Sequence, residues 1–385
     1  MDPIVIVGSG LTGYSLAREF RKLDKASPLL IITSDHGESY SKPMLSNAFA
    51  QGKSPDQLVM ASSVQQAMQL SAEVFTLTSL RAIDTANKTL DTTRGTLAYD
   101  RLVLALGAHQ RRVPLAGDGA TDVLTVNNLG DYRAFRQRLN DGARRVAIIG
   151  AGLIGCEFAN DLRAGGHAVD LIARNAEPLD ALVPAAIGAD LRTALIAVGV
   201  TWHGPTTANR ITRDDQGLTV HLENGEIVHA DVVLSATGLA PNIDIARAAG
   251  LSVNRGIVVN TLLQTSAAHV YAAGDCAEVG GTSLPYVMPL MNQVRSLAKT
   301  LAGVPTHVSY PVMPVVVKTP AFPIVAVPPP THTPGAWRME PVAAGRKALF
   351  YSENGALLGF ALGGPTVSEK AALAKLTPAP TLPAI

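Results

Sequence analysis

Short apolar runs without a polar face recur along this chain, and each ends at or near glycine. Ile4-Val5-Ile6-Val7 is the first, and a run of this kind predicts a strand buried on both sides. It stops at Gly8-Ser9-Gly10-Leu11-Thr12-Gly13, and apolar positions then return at helical spacing from Tyr14 to about Leu23. A second strand, Leu29 to Ile32, ends at Thr33-Ser34-Asp35. About 140 residues later the same order of elements reappears. Arg145 to Ile149 leads into Gly150-Ala151-Gly152-Leu153-Ile154-Gly155, a helical stretch passes through Glu157, Phe158 and Leu162, and a strand follows from Ala168 to Ile172. Further buried strands end in glycine at Gly107 and Gly238, and a later one ends at Gly274-Asp275.

The glycines of the first turn each answer a physical need. Gly8 permits the tight turn, Gly10 lets the backbone approach a pyrophosphate, and Gly13 lets the helix lie close on the strand. The helix N-terminus offers free N–H groups and a positive dipole end to the phosphates. Thr33, Ser34 and Asp35 stand about 20 residues on, where a polar or acidic group meets the ribose. Gly150, Gly152 and Gly155 repeat the arrangement. One such motif is weak evidence, because ordinary α/β folds also contain tight glycine turns. Two in strand–turn–helix context predict two bound dinucleotides and an α/β chain with two Rossmann-like domains. Asp275 could accept hydrogen bonds from ligand hydroxyls or simply cap the next helix.

Composition narrows the class. Of 385 residues, 47% are hydrophobic and 16% charged, so a large core is affordable and global disorder is excluded. A net charge of +1 argues against a nucleic-acid or anionic-membrane surface. The two cysteines, Cys156 and Cys276, lie far apart and form no disulfide framework, and the nine scattered histidines suggest no metal site. With no basic-apolar leader and no apolar run of about 20 residues, a cytoplasmic protein is expected.

These residues together resemble the two-dinucleotide-binding flavoprotein reductases with the glutathione reductase fold. The resemblance implies FAD in the first nucleotide site and NAD(P)H in the second. It also implies a split FAD domain (residues 1–110 and 239–307), an NAD(P)H domain (111–238) and a small α+β C-terminal domain (308–385). Four segments are similar to rubredoxin reductases in particular: Tyr40-Ser41-Lys42-Pro43-Met44-Leu45-Ser46, the stretch Gly152 to Leu162, Tyr286-Val287-Met288-Pro289-Leu290-Met291, and Val317-Lys318-Thr319-Pro320. Flavorubredoxin reductases look similar through the same segments.

The superfamily carries a redox disulfide or a single cysteine in the helical segment that here reads Tyr40 to Ser46, which contains none. A dithiol relay or a sulfenic-acid peroxidase therefore lacks its nucleophile. The resemblance places Lys42 against the flavin N5 region, paired with Glu157, in a catalytic role. It assigns the backbone N–H of Val287, just ahead of the helical stretch Leu290 to Leu301, to the flavin pyrimidine carbonyl. It brings Lys318 to the flavin from the C-terminal domain, Asp275 to the ribityl hydroxyls and the backbone of Leu80 to the adenine. Absent the resemblance, Lys42 would read as a surface lysine, Glu157 as a helix N-terminal acid and Lys318 as an edge-strand charge.

The family implies NADH as donor. The second nucleotide unit departs from the usual acid, however, with Ala173 followed by Arg174, so NADPH stays open. The implied acceptor is rubredoxin, which in the family passes electrons to an alkane hydroxylase. Arg111, Arg112, Arg295 and Lys299 are candidates for a basic docking rim, or are scattered solubility charges. In the C-terminal domain, strands are expected over Val312 to Val317 and Ile324 to Val327, a β region from Trp337 to Leu362 and a helix near Ser368 to Lys375. That domain is short for a dimer interface, so a monomer is expected, with a flexible proline-rich tail from Pro378 to Pro383. A flavin or nucleotide sensor without catalysis is the alternative from a different class.

Overall fold

The computed structural model describes residues 2–139, 142, 144–215, 217–380 and 382. Five parallel strands form the first sheet, in the order Val270–Ala272, Arg101–Leu104, Ile4–Val7, Leu29–Ile32, Glu73–Phe75. Every residue of Ile4–Val7 and Leu29–Ile32 is buried, as unbroken apolar strands require. Val270–Ala272 joins this sheet from late in the chain, which carries Gly274 and Asp275 back to the first glycine turn. Four parallel strands form the second sheet, ordered Val200–His203, Ala168–Ile172, Arg145–Ile149, Val232–Ser235.

In both sheets the strand before the glycine turn lies between its successor and a strand that ends in glycine. Parallel sheets place ligands beyond such strand ends, where the connections diverge. Each unit also carries a three-stranded antiparallel meander, Leu80 to Ala98 in the first and Ala208 to Ala230 in the second. The two crossings between units pair as a short antiparallel ladder, Ala108–Gln110 on Leu239–Pro241.

The first helix spans Leu11–Leu23, so the motif residues Leu11 to Gly13 already belong to it. The later helix begins at Val287 and runs to Leu301, three residues ahead of the expected Leu290. Pro289 is accommodated because first-turn N–H groups have no partner inside the helix. The C-terminal region is a five-stranded antiparallel sheet, ordered Val315–Val317, Ile324–Val327, Leu357–Gly363, Arg346–Ser352, Gly335–Glu340. Its first strand is shorter than Val312 to Val317, since Pro314 has no N–H to give to a ladder. Helix Lys370–Leu376 follows a six-residue 3-10 segment, Gly364–Glu369. The expected tail lies outside the described residues at Thr381 and Pro383.

One core fills the first unit, whereas a second is shared between units. It joins Ile148 and Leu171 of the second sheet and Phe158 of the helix Leu153–Ala164 to Leu45 and Ala48 of the Lys42 loop and to Val315, Val317 and Ile324 of the C-terminal sheet. This shared core positions the candidate site.

A histidine on the edge of the second sheet gives the fold a pH dependence. His203 Nε2 donates to Asp170 Oδ1 at 2.8 Å and Nδ1 to Glu226 Oε2 at 3.0 Å when the ring is charged. The Asp170 hydrogen bond is the main cause that raises its pKa above the ordinary 6.5, against burial that lowers it. The stabilisation is therefore complete below about pH 6.5 and is lost as pH rises through the raised folded value. His203→Gln is expected to flatten Tm between pH 6 and 9 relative to wild type. Parallel curves for the two proteins would contradict this.

Candidate active site

The two glycine turns are near copies in geometry. Gly8 and Gly150 hold φ values of 118° and 111°, a region open to glycine. A Cβ on Gly13 would lie 1.8 Å from the Gly8 oxygen, and one on Gly155 would lie 1.8 Å from the Gly150 oxygen. At Gly10 and Gly152 a Cβ would meet nothing within 4 Å, so both residues face open space. Each of these two glycines caps its helix without any side-chain hydrogen bond. The helix ends are left free for an anion.

Beside the first turn, Asp35 Oδ1 accepts from Thr33 Oγ1 at 2.7 Å, from Gly37 N–H at 2.8 Å and from Ser9 Oγ at 3.3 Å. All three bonds fall on one oxygen, and among the described residues none engages Oδ2. Ser34 is exposed next to it, and Leu80 lies half-buried at the margin of the first core.

A cavity of about 450 Å³ opens between the units. Gly10, Leu11 and Thr12 line it from the first turn, and Leu153, Ile154 and Glu157 from the second. Lys42 and Ser46, Asp275, Val287 and Met288, and Val316 and Lys318 complete its wall. Of the expected residues, Gly10, Leu11, Thr12, Lys42, Glu157, Asp275, Val287 and Lys318 thus meet at one place, whereas Gly8, Ser9, Gly13, Thr33, Ser34, Asp35, Leu80, Gly150, Gly152 and Gly155 lie outside its lining. Val287 is the first residue of its helix, which has no side-chain cap, so its N–H points out of a positive helix end.

Lys42 and Asp275 both face the cavity, and neither side chain makes a hydrogen bond or ion pair among the described residues. Burial pushes the Lys42 ammonium below its usual pKa, with Asp275 the main opposing influence. Burial likewise raises the Asp275 carboxyl, and Lys42 opposes that shift. Two polar groups without protein partners in a largely apolar cleft fit a ligand that is apolar in its body and polar at its edges, as a flavin is.

The expected Lys42–Glu157 pair is not formed. Glu157, only 2% exposed, accepts from Ser46 Oγ at 2.6 Å and from the Lys318 backbone N–H at 2.9 Å. Its ion pair is with Lys318 Nζ at 3.2 Å, and that ammonium also donates to the Pro43 oxygen. Lys318 wins because its backbone is already tied to Glu157, whereas Lys42 lies on the Asp275 side of the cavity. Both cysteines are buried and unpaired. Burial raises both thiols, Cys276 to about 11, so neither supplies a thiolate at neutral pH.

Three positioning features escaped sequence reading. Gln293 Oε1 accepts the Gly274 N–H at 2.7 Å, and its Nε2 donates to the buried Tyr310 hydroxyl at 2.8 Å. This fixes the Gly274 turn against Thr12, where a Cβ would come within 2.2 Å of Oγ1. The available signal was a glutamine on the apolar face shared by Leu290, Val294 and Leu297. Asn160 and Asp161, one turn beyond Glu157, accept backbone N–H groups of Ala321, Phe49 and Ala50.

With this geometry in view, similarity to known proteins is informative. The pyridine nucleotide-disulphide oxidoreductase family model matches residues 2–299, and the chain belongs to that family. A rubredoxin binding C-terminal domain model matches residues 307–377. The chain is 48% identical to the rubredoxin-NAD(+) reductase of Alcanivorax borkumensis, over 98% of this chain and 99% of that protein. It is 45% identical to the rubredoxin-NAD(+) reductase of Acinetobacter baylyi, over 98% of each. A ferredoxin reductase structure from Rhodopseudomonas palustris is similar at TM-score 0.87 and 26% identity, covering 98% of this chain and 96% of that one.

Glu157→Ala removes the acceptor for three donors, so it is expected to destabilise the chain by about 2–4 kcal/mol. Denaturant unfolding checks this. A loss below about 0.5 kcal/mol, the size of a neutral surface change, would show that the clamp does not hold the units.

Proposed function

We propose that this chain takes hydride from NADH onto bound FAD and delivers the electrons singly to rubredoxin. The observation that carries the reading is one cavity shared by both nucleotide units and by the rubredoxin-binding segment, with no cysteine in its wall. Bound FAD supplies the means to accept two electrons at once and release them one at a time, which a one-electron iron centre requires.

The protein's residues hold and tune that group. The Leu11–Leu23 helix end and Gly10 cradle its pyrophosphate, Asp35 Oδ2 takes a ribose hydroxyl, and Asp275 accepts from ribityl hydroxyls. Lys42 and the N–H of Val287 place positive potential where negative charge grows on reduction. Lys318 and Glu157 form the floor, and Leu80 offers its backbone to the adenine. The Gly150 turn with Gly152 and Gly155 seats the nicotinamide nucleotide, and Leu153 and Ile154 bring that seat to the same cavity. Residues 1–110 and 239–307 would form the FAD unit, 111–238 the NADH unit and 308–385 the docking domain.

Tyr286, Val287, Met288 and Val316 are exposed apolar residues at the mouth of the cavity. Arg295 and Lys299 are exposed on the same helix as Val287, and with the exposed Arg111 and Arg112 these residues suit a small acidic partner with an apolar contact centre. No helix among the described residues is long and apolar enough to cross a membrane. A cytoplasmic monomer that feeds a hydroxylase through rubredoxin is the setting we favour.

Anaerobic mixing with NADH is expected to bleach the flavin, and subsequent mixing with oxidised rubredoxin to restore it. A flavin that does not bleach would support a sensing role instead. Lys42→Met is expected to lower the flavin potential and slow reduction by NADH about ten- to a hundredfold. An unchanged potential would remove the role given to Lys42.

A further inference from the structure

The two nucleotide units correspond bond by bond, and that correspondence singles out a position the proposed reaction leaves unexplained. Gly8 N–H donates to the Ile32 oxygen at 2.8 Å, as Gly150 N–H does to the Ile172 oxygen at 2.9 Å. Just beyond, Thr33 N–H donates to Phe75 and its oxygen accepts from Thr78, at 2.9 and 2.8 Å. In the second unit Ala173 N–H donates to His203 and its oxygen accepts from Thr206, at 2.7 and 2.8 Å. Thr33 thus corresponds to Ala173, Ser34 to Arg174 and Asp35 to Asn175.

The carboxylate that the first unit presents to a ribose is therefore an amide in the second. Two other acids stand in that loop, Glu177 and Asp180, and neither occupies the position that corresponds to Asp35. Glu177 Oε1 is held 3.3 Å from Arg192, and its Oε2 is turned into the protein, buried and without a hydrogen-bond partner among the described residues. Asp180 accepts from the Asn175 amide at 2.6 Å. Arg174 is exposed, and among the described residues no hydrogen bond or ion pair engages its guanidinium. A carboxylate at this position does two things: it accepts from a ribose 2′-hydroxyl, and it repels a 2′-phosphate of charge about −1.5 to −2. An arginine reverses the second effect with charge-assisted bonds to phosphate oxygens.

We infer that Arg174 and Asn175 read the 2′ position of the adenine ribose in place of a carboxylate, so that the chain accepts NADPH alongside NADH. This rests on the proposed seat of the nicotinamide nucleotide in the second unit. The Gly155 turn is unaffected, because the pyrophosphate and the nicotinamide are common to both donors.

The test uses the FAD-loaded full chain at fixed ionic strength, with two readouts. Steady-state kcat/KM for NADPH is expected within about tenfold of that for NADH, and calorimetry is expected to show 2′,5′-ADP binding about tenfold tighter than 5′-AMP. Arg174→Ala is expected to cancel the preference for 2′,5′-ADP and to shift the NADPH/NADH ratio of kcat/KM about tenfold towards NADH. Asn175→Asp, also at an exposed position, is expected to shift it in the same direction. Flavin reduction by NADH serves as the control, since its failure would sink the proposed function rather than this inference. With NADH active, three results would overturn it: an NADH preference above about a hundredfold, 2′,5′-ADP binding no tighter than 5′-AMP, or NADPH use gained only in Glu177→Gln, which would mean that Glu177 swings out to read the ribose.

Discussion

A buried carboxylate holds the candidate site together. Glu157 sits on the helix of the second nucleotide unit and is bonded by Ser46 from the Lys42 loop and by Lys318 from the C-terminal sheet. Taking a carboxylate out of water costs several kcal/mol, which only well-placed donors offset. Ser46, Lys318 and Glu157 itself belong to three different parts of the chain, so the charge is satisfied only when all three parts are in place. Asn160 and Asp161 extend the same stripe of the helix and accept backbone N–H groups from residues 49, 50 and 321. The apolar core beneath, from Leu45 through Phe158 to Val317, brings the parts together without directional preference, and the polar stripe sets their register.

The cavity follows from that register. The first sheet recovers Val270–Ala272 late in the chain, so Asp275 arrives beside Gly10 and Thr12. The helix that follows the second glycine turn brings Leu153 and Ile154 to the same cavity. The first glycine turn and the first turn of the Leu153–Ala164 helix then face one cavity. Lys42 and Asp275 face this space, and neither side chain makes a hydrogen bond or ion pair among the described residues. With both thiols buried and their pKa values raised, nothing in the wall can intercept electrons on the way to the partner.

Much of this was legible in the sequence because glycine requirements are local. Gly8 and Gly150 are needed by their own positive φ, and Gly13 and Gly155 by contacts within their own turns, so the motif and the geometry coincide. The strands Ile4–Val7 and Arg145–Ile149 were equally plain, since apolar runs of that length have few alternatives. What was hidden depends on contacts distant in sequence. Lys318 was recognisable as an isolated charge in an apolar strand, but nothing local says that its partner is Glu157 rather than solvent. Helical spacing at Glu157, Asn160 and Asp161 reads as a solvated face, and only the docking of residues 46–50 and 318–321 buries it. Gln293 was hidden for the same reason: its partners, Gly274 and Tyr310, lie in other elements.

The central claim is that electrons pass from the flavin to the partner with no protein thiol between them. Anaerobic reductive titration of the FAD-loaded chain measures this directly. An uptake of about two electrons per flavin is expected, since the flavin is then the sole two-electron centre. An uptake of about four would reveal a second redox centre, a cysteine pair above all, and would contradict the account.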